Sequence, residues 1–373
     1  MTVGFFSPMP SARTGVAEYS AALYKALQPL GPVRLNDARA DICLYHIGNN
    51  QLHRAIYEQA LRRPGVVVLH DAVLHHFLLG ILNEREYIRE FVYNYGEWSA
   101  EAAARLWGGR ALSAMDAAYF ERPMLRRLAE RSKAVIVHNP AAARMVRQHA
   151  AGAAVFEIPH LYEPPPDPSA RDVIQLREHF GIAPQTFLFG VFGHLRESKR
   201  LFVTLRAFDT LRRHGVDIAL LIAGEFASSD LRRALAPQLR RERVLRVGYI
   251  PERDFATYAA AVDACINLRY PQAGETSGIA IRLMGAGKPV LVTAGEEAAE
   301  FPAAAVIPID CGLSEEEMLA AAMLWLADNR RDARDLGAIA REHILRCHRP
   351  DRVAELYWNV LQAAARSVGP TLN

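Results

Sequence analysis

Four segments gather the residue types that do chemistry, and each stands where an apolar run gives way to a polar turn or a helix. Val66-Val67-Val68-Leu69 delivers an imidazole and a carboxylate, His70 and Asp71. A histidine that merely fills the core belongs inside such a run; one at its mouth is as well placed to meet a ligand. Phe189 to Arg200 reads FGVFGHLRESKR, an apolar run that ends at Gly193 and then sets His194, Arg196 and Lys199 ahead of a helix. Cations beside open helix N–H groups suit a diphosphate, although a solvated basic turn has the same composition. Lysine occurs only at Lys25, Lys133, Lys199 and Lys288, so its use at 199 fits a point-charge contact to phosphate. Leu268 to Ala280 reads LRYPQAGETSGIA, with Glu275 just before a helix that stops at Gly287-Lys288-Pro289. Small residues there leave amides open to an anion, while an acid at a helix start is also ordinary dipole capping. Residues 7–16, SPMPSARTGV, close on Gly15 and Val16 at another helix start. They lack G-x-G-x-x-G and so carry no dinucleotide fingerprint. His75 and His76, with His70 and Asp71, make a metal set in number but not in spacing. They read as helix-surface residues, and no metal site is expected.

These residues need elements to hold them. Short apolar runs alternate with longer amphipathic ones, the pattern of parallel sheets covered by helices. Strands are expected at Val3–Ser7, Asp41–His46, Val66–His70, Ala134–His138 and Val155–Ile158. A second set is expected at Phe187–Phe192, Ile218–Ala223, Val244–Val247, Ala264–Leu268, Pro289–Thr293 and Ala304–Ile307. Helices are expected from Gly15 to a stop at Gly31-Pro32, over Lys199–His214 and Phe255–Ala261, and after Pro350. Residues 72–133 form a helical insertion rich in aromatics. Residues 162–169, YEPPPDPS, carry four prolines and read as a stiff linker. The organisation expected is an N-terminal Rossmann-like domain over 1–162, a linker over 163–186, a C-terminal Rossmann-like domain over 187–348, and a final helix over 349–373.

A chain of 373 residues is long enough for two cores. With 51% hydrophobic and 23% charged residues it is ordinary globular protein, which excludes disorder and small disulfide scaffolds. A net charge of +3 excludes a dedicated nucleic-acid binder. The first 160 residues hold 18 Lys/Arg against 14 Asp/Glu, a mild basicity that suits an anionic substrate or membrane surface as well as it suits chance. Cys43, Cys265, Cys311 and Cys347 are too scattered for a metal or redox motif and read as buried or reduced thiols. No signal peptide and no apolar run near ~18 residues is visible. The expectation is a soluble cytoplasmic chain, with peripheral contact to the inner face of a membrane through the N-domain left open.

Taken together, residues 185–365 resemble the retaining, family 4 nucleotide-sugar glycosyltransferases of GT-B architecture. The resemblance rests on Gly193-His194-Leu195 with Lys199, Gly224-Glu225, Gly248-Tyr249-Ile250, and Glu275-Thr276-Ser277-Gly278 with Gly287-Lys288-Pro289-Val290. It implies two Rossmann-like domains facing across a cleft, with the last helix crossing back to the N-domain. It implies that Lys199 binds the donor diphosphate, with Arg196 standing in for an arginine that is His194 here. It places Glu275 against the donor sugar, the amides of Ser277, Gly278 and Ile279 around phosphate, and Thr276 among the donor contacts. Gly224, Tyr249 and Ile250 would border the nucleotide, Gly15 and Val16 would meet the sugar-phosphate, and His70 with Asp71 would lie near the reacting sugar. The family's second glutamate, a ribose ligand, is Leu283 here, preceded by Arg282.

The implied reaction needs no cofactor and no metal: a UDP- or GDP-linked sugar passes to a glycan or lipid-linked acceptor with retention of configuration. D-x-D is absent from the chain, which does not support a metal-bridged diphosphate. The competing readings are a sugar-nucleotide epimerase of the same fold and a catalytically degenerate partner subunit. Tyr93, Trp98 and Trp107 of the insertion are expected to be exposed and to contact the acceptor.

Overall fold

The computed structural model describes residues 1–10, 12 and 14–366, and the chain divides into two compact units. One holds Met1–Glu163, Pro271–Thr276 and the stretch from Cys347; the other holds Pro164–Tyr270 and Ser277–Arg346.

The first unit is built on six parallel strands: β1 (Val3–Phe6), β2 (Val33–Leu35), β3 (Ile42–Ile47), β4 (Val66–Leu69), β5 (Ala134–Val137) and β6 (Val155–Glu157). Their order is β2-β1-β3-β4-β5-β6. The helix α1 (Gly15–Leu27) starts where Thr14 Oγ1 accepts the Ala17 amide at 3.2 Å, and it buries Ala17, Tyr19, Leu23 and Leu27. Beyond α2 (Arg54–Arg62), the insertion forms α3 (His75–Ile81), α4 (Glu84–Tyr95), α5 (Ala100–Gly109), α6 (Ala117–Phe120) and α7 (Arg126–Arg131). The helix α8 (Pro140–His149) follows β5.

Register decides which side chains share a face. His46 of β3 pairs with Val68 of β4, and Val68 pairs with Ile136 of β5. Side chains alternate with period two, so His70 and His138, each two residues further on, fall on the same face as His46. That face, with Leu44, Val66, Val68 and Ile136, packs against Tyr19 and Leu23 of α1 and Val353 and Tyr357 of the C-terminal helix. The opposite face, with Tyr45, Val67, Leu69 and Val135, packs against the insertion.

The second unit opens with α9 (Ala170–His179) and has six parallel strands of its own. These are β7 (Phe187–Phe192), β8 (Ile218–Ala223), β9 (Val244–Val247), β10 (Ala264–Asn267), β11 (Val290–Thr293) and β12 (Val306–Ile309). The order β12-β11-β10-β7-β8-β9 reverses direction between β7 and β10, and in open α/β sheets ligands bind beyond the carboxyl ends of strands at that point. Helices α10 (Leu201–Arg213), α11 (Ser229–Leu239), α12 (Glu252–Ala261), α13 (Gly278–Gly285), α14 (Glu315–Asp328) and α15 (Arg330–Cys347) complete the unit; α16 (Pro350–Arg366) belongs to the first.

Several boundaries differ from those expected. The strand β2 escapes the pattern because it is three residues long, with Arg34 and Leu35 exposed. The linker expected over 163–186 is irregular only to 169, because Ser169 Oγ caps α9 by accepting the Asp172 amide at 3.1 Å. The strand expected at Ala304–Ile307 lies two residues later. Pro271–Thr276, expected inside the C-terminal domain, groups with the first unit.

Candidate functional site

In the second unit the turns after β7, β8 and β9 are tied to one another. The Gly193 amide donates to the Ala223 carbonyl at 3.0 Å, Leu195 to Glu225 at 2.8 Å, and Gly224 to Val247 at 3.1 Å. The Glu225 carboxylate accepts the Tyr249 amide at 3.0 Å. Gly193 and Gly224 have φ of 89° and 138°, and a Cβ on Gly224 would lie 2.0 Å from the Gly193 carbonyl oxygen. Only glycine permits that approach. A Cβ on Gly193 would lie 3.5 Å from Lys199 Nζ and 3.1 Å from Ile279 Cγ1. The lysine after β7 and the helix after β10 therefore meet at the point where the strand order reverses.

Lys199 is buried, and its ammonium donates to the Phe192 carbonyl at 2.5 Å. His194 and Arg196 are exposed on the same turn. Desolvation, then the cations Arg196 and Lys199, push the His194 imidazole below its usual range. At the start of α13 the Ser277 hydroxyl is fully used: it accepts from the Ala280 amide at 3.2 Å and from Arg269 Nη2 at 3.3 Å, and donates to Asn267 Oδ1 at 3.2 Å. The amides of Gly278 and Ile279 have no acceptor among the described residues. These two N–H groups, near Lys199, offer donors and positive charge suited to an anion. Leu283 is core, so it offers ribose nothing; Arg282 lies over the Phe255 ring at 3.6 Å and donates to Glu252 at 2.5 Å. Tyr249 is exposed and Ile250 half-buried at the mouth of β9.

In the first unit His70 and Asp71 do not act as a pair. His70 turns to the α1–α16 face, where its Nε2 lies 3.0 Å from Nδ1 of His46. Asp71 turns the other way and accepts the Asn49 amide at 2.8 Å. Adjacent residues at the end of a strand must diverge in this way. Around His70 stand Tyr19, His138 and His160, with ring centroids 4.6–5.4 Å apart along the cluster. Tyr19 shares a 2.7 Å hydrogen bond with Tyr357 of α16. Burial drives His46, His70 and His160 well below the usual imidazole range, and His138 to about 4. His46, His138 and His160 were not anticipated as site residues, although the signal that picked out His70, a histidine at or just past the end of a strand, recurs at each.

The Glu275 loop is fixed within this same unit. The amides of Ala72 and Val73, next to His70-Asp71, donate to the Ala273 carbonyl at 3.0 and 3.1 Å. Asn139 Nδ2 donates to the Gly274 carbonyl at 3.0 Å and to Thr276 Oγ1 at 2.9 Å. Gly274 has φ of 65°, and a Cβ there would lie 2.6 Å from that of Ala72. Glu275 itself accepts the Ala273 amide at 2.8 Å. Asn139 is thus a positioning residue that sequence reading passed over. Gly15 is exposed at the start of α1, where a Cβ would meet nothing within 4 Å among the described residues, and Val16 is half-buried beside it. The fold itself does not require glycine at 15.

The insertion corrects three expectations. Trp98 is 83% exposed, but Tyr93 and Trp107 are half-buried. Tyr93 lies under Arg127 and donates to Glu130, and Trp107 packs on Tyr87. His75, expected at the helix surface, is buried and hydrogen-bonded to the Tyr87 hydroxyl at 2.6 Å. Among the described residues no group of three or more His, Cys, Asp or Glu side chains is arranged to hold a metal, and no helix is long and apolar enough to cross a membrane.

Residues 186–329 match the family model described as glycosyl transferases group 1. A search of the curated proteins finds no match. Among solved structures, HepE from Anabaena, determined in complex with UDP-glucose, is 17% identical with a TM-score of 0.67, covering 97% of this chain and 100% of its own. Sucrose-phosphate synthase from Thermosynechococcus elongatus is 16% identical with a TM-score of 0.70, covering 97% and 99%. WaaG, a glycosyltransferase involved in lipopolysaccharide biosynthesis, is 14% identical with a TM-score of 0.63, covering 95% and 99%. The chain has the α/β fold of GT-B glycosyltransferases.

Proposed function

We propose that the chain is a glycosyltransferase that moves a sugar from a nucleoside diphosphate to a hydroxyl of a glycan or lipid-linked acceptor, with retention of anomeric configuration. One observation carries this reading: Lys199 and the Gly278 and Ile279 amides converge at the reversal point of the second sheet, where a diphosphate would find both charge and donors. The group 1 match spans that same unit. HepE, whose structure holds UDP-glucose, supports a nucleotide-sugar donor.

In the reaction the bond from the anomeric carbon to the diphosphate oxygen breaks, and a bond to the acceptor oxygen forms on the same face. The acceptor proton passes to the departing phosphate oxygen, so no protein base is required. Lys199, Arg196 and the α13 N-terminus offset the charge that grows on the leaving group, in place of a metal. Glu275 and His70 address the donor sugar; Tyr249 and Ile250 border the base; Trp98 contacts the acceptor. Asp71, turned to the other face and bonded to Asn49, contributes to the shape of its loop and leaves the chemistry to His70.

The test is transfer from α-linked UDP- and GDP-sugars to simple glycan and lipid-linked acceptors, with the product anomer read by NMR. An α-linked product supports the proposal; a β-linked product rejects retention. A partner subunit without activity is the second reading, favoured by Leu283 lying in the core at the family's ribose position. No binding of UDP, GDP or ADP in calorimetry, with no transfer to any acceptor, points to it.

A further inference from the structure

His46 touches no solvent, and among the described residues the one hydrogen bond its ring makes is to His70: Nδ1 lies 3.0 Å from His70 Nε2, and its own Nε2 is sealed with no partner among them. One of the two rings donates and the other accepts. If His70 donated, His46 would carry its proton on the sealed Nε2, leaving a buried N–H with no acceptor. If His46 donates, the sealed atom is only a lone pair. Orphaned buried donors are the rarer and costlier arrangement. The neighbours behave the same way. His53 Nδ1 faces the His46 carbonyl at 2.9 Å and His138 Nδ1 faces the Ile158 carbonyl at 2.9 Å. A carbonyl can only accept, so both rings are protonated at Nδ1, and both seal a bare Nε2.

We propose that His46 is a positioning residue that locks His70 as the Nδ1–H tautomer, so that His70 meets its ligand as a hydrogen-bond donor and never as a base. The inference rests on the reading of His70 as a sugar contact for its functional meaning, and on geometry alone for the tautomer. Nε2 of His70 is engaged by His46, which leaves Nδ1 as the ring nitrogen without a partner among the described residues. Its counterpart would be an oxygen of the donor sugar: a hydroxyl that accepts. Burial supports the assignment, since it holds both rings neutral.

The experiment is a long-range nitrogen–proton correlation spectrum of the full chain with nitrogen-15 histidine, His70 being assigned from His70→Ala. Expected is a pyrrole-like Nδ1 and a pyridine-like Nε2 for both His46 and His70; a protonated Nε2 on His70 overturns the proposal. The tautomers are read in the wild-type protein, and the variant serves here only for assignment. In variants, His46→Asn keeps an N–H near the Nδ1 position, whereas His46→Leu removes it. His46→Leu should release His70 into a tautomer mixture and lower kcat roughly tenfold, with the affinity for nucleoside diphosphate held. His46→Asn should restore the Nδ1–H signature and much of the rate. An unchanged His70 signature in His46→Leu rejects the lock. Full turnover in His70→Ala, with the tautomers as stated, rejects instead the reading of His70 as a sugar contact.

Discussion

Glu275 is the residue whose chemistry separates binding from turnover. Its carboxylate accepts the Ala273 amide, an interaction that a neutral amide oxygen can keep. Glu275→Gln should therefore preserve the loop and the affinity for nucleoside diphosphate while lowering kcat, by roughly tenfold or more if its charge faces the sugar in the transition state. Steady-state kinetics beside calorimetry checks this; equal losses in both would move Glu275 to a structural role. Part of this residue-level picture is legible in sequence. Lys199, Gly193 and Ile279 are found because glycine, lysine and a helix start have distinct physical signatures at the ends of strands. The pairing of His70 with Asp71 misleads because adjacency in sequence means opposite faces in a strand. His46 and Asn139 escape for another reason: their work is to hold other residues, through partners 24 and 135 positions away that spacing does not reveal.

Among elements, the insertion α3–α7 shows what helical periodicity leaves open. Apolar spacing marks these helices but does not say which aromatic is left outside when five short helices pack on one another. Trp98 precedes α5 and stays in solvent, whereas Trp107 ends α5 against Tyr87. Trp98→Ala should leave the melting temperature within about a degree and raise acceptor KM. Trp107→Ala and Tyr93→Ala should each cost ~1–3 kcal/mol, seen as a lower melting temperature. A melting temperature that falls for Trp98→Ala with KM unchanged would take the acceptor contact away from this element. The central strands β7, β8, β10 and β11 of the second unit are the most legible part of the fold, since burial on both faces makes each a nearly continuous apolar run bounded by turns. The short edge strand β2 and the capped helix α9 are not, because a three-residue strand and a helix without a buried residue leave little pattern.

At the scale of the whole molecule, the buried histidines make the first unit sensitive to acid. In the unfolded chain each imidazole takes a proton near its ordinary 6.5; folded, His138 resists until about 4, and His46, His70 and His160 lie well below the ordinary value. As pH falls below 6.5 the unfolded state binds more protons than the folded one. Stability then drops by up to ~1.4 kcal/mol per pH unit for each such histidine. Urea unfolding followed by Trp fluorescence should show a clearly lower midpoint at pH 5 than at pH 7; equal midpoints would mean these rings are not buried neutral in solution. Whether the second unit grips a nucleoside diphosphate through Lys199 and the start of α13 is decided by calorimetry. UDP, GDP and ADP are titrated into the wild-type chain and into Lys199→Met. UDP or GDP should bind one-to-one, and Lys199→Met should weaken it by ~1.5–3 kcal/mol, about ten- to a hundredfold. Binding of equal strength in both proteins, or of none of the three nucleotides to the wild type, would contradict it.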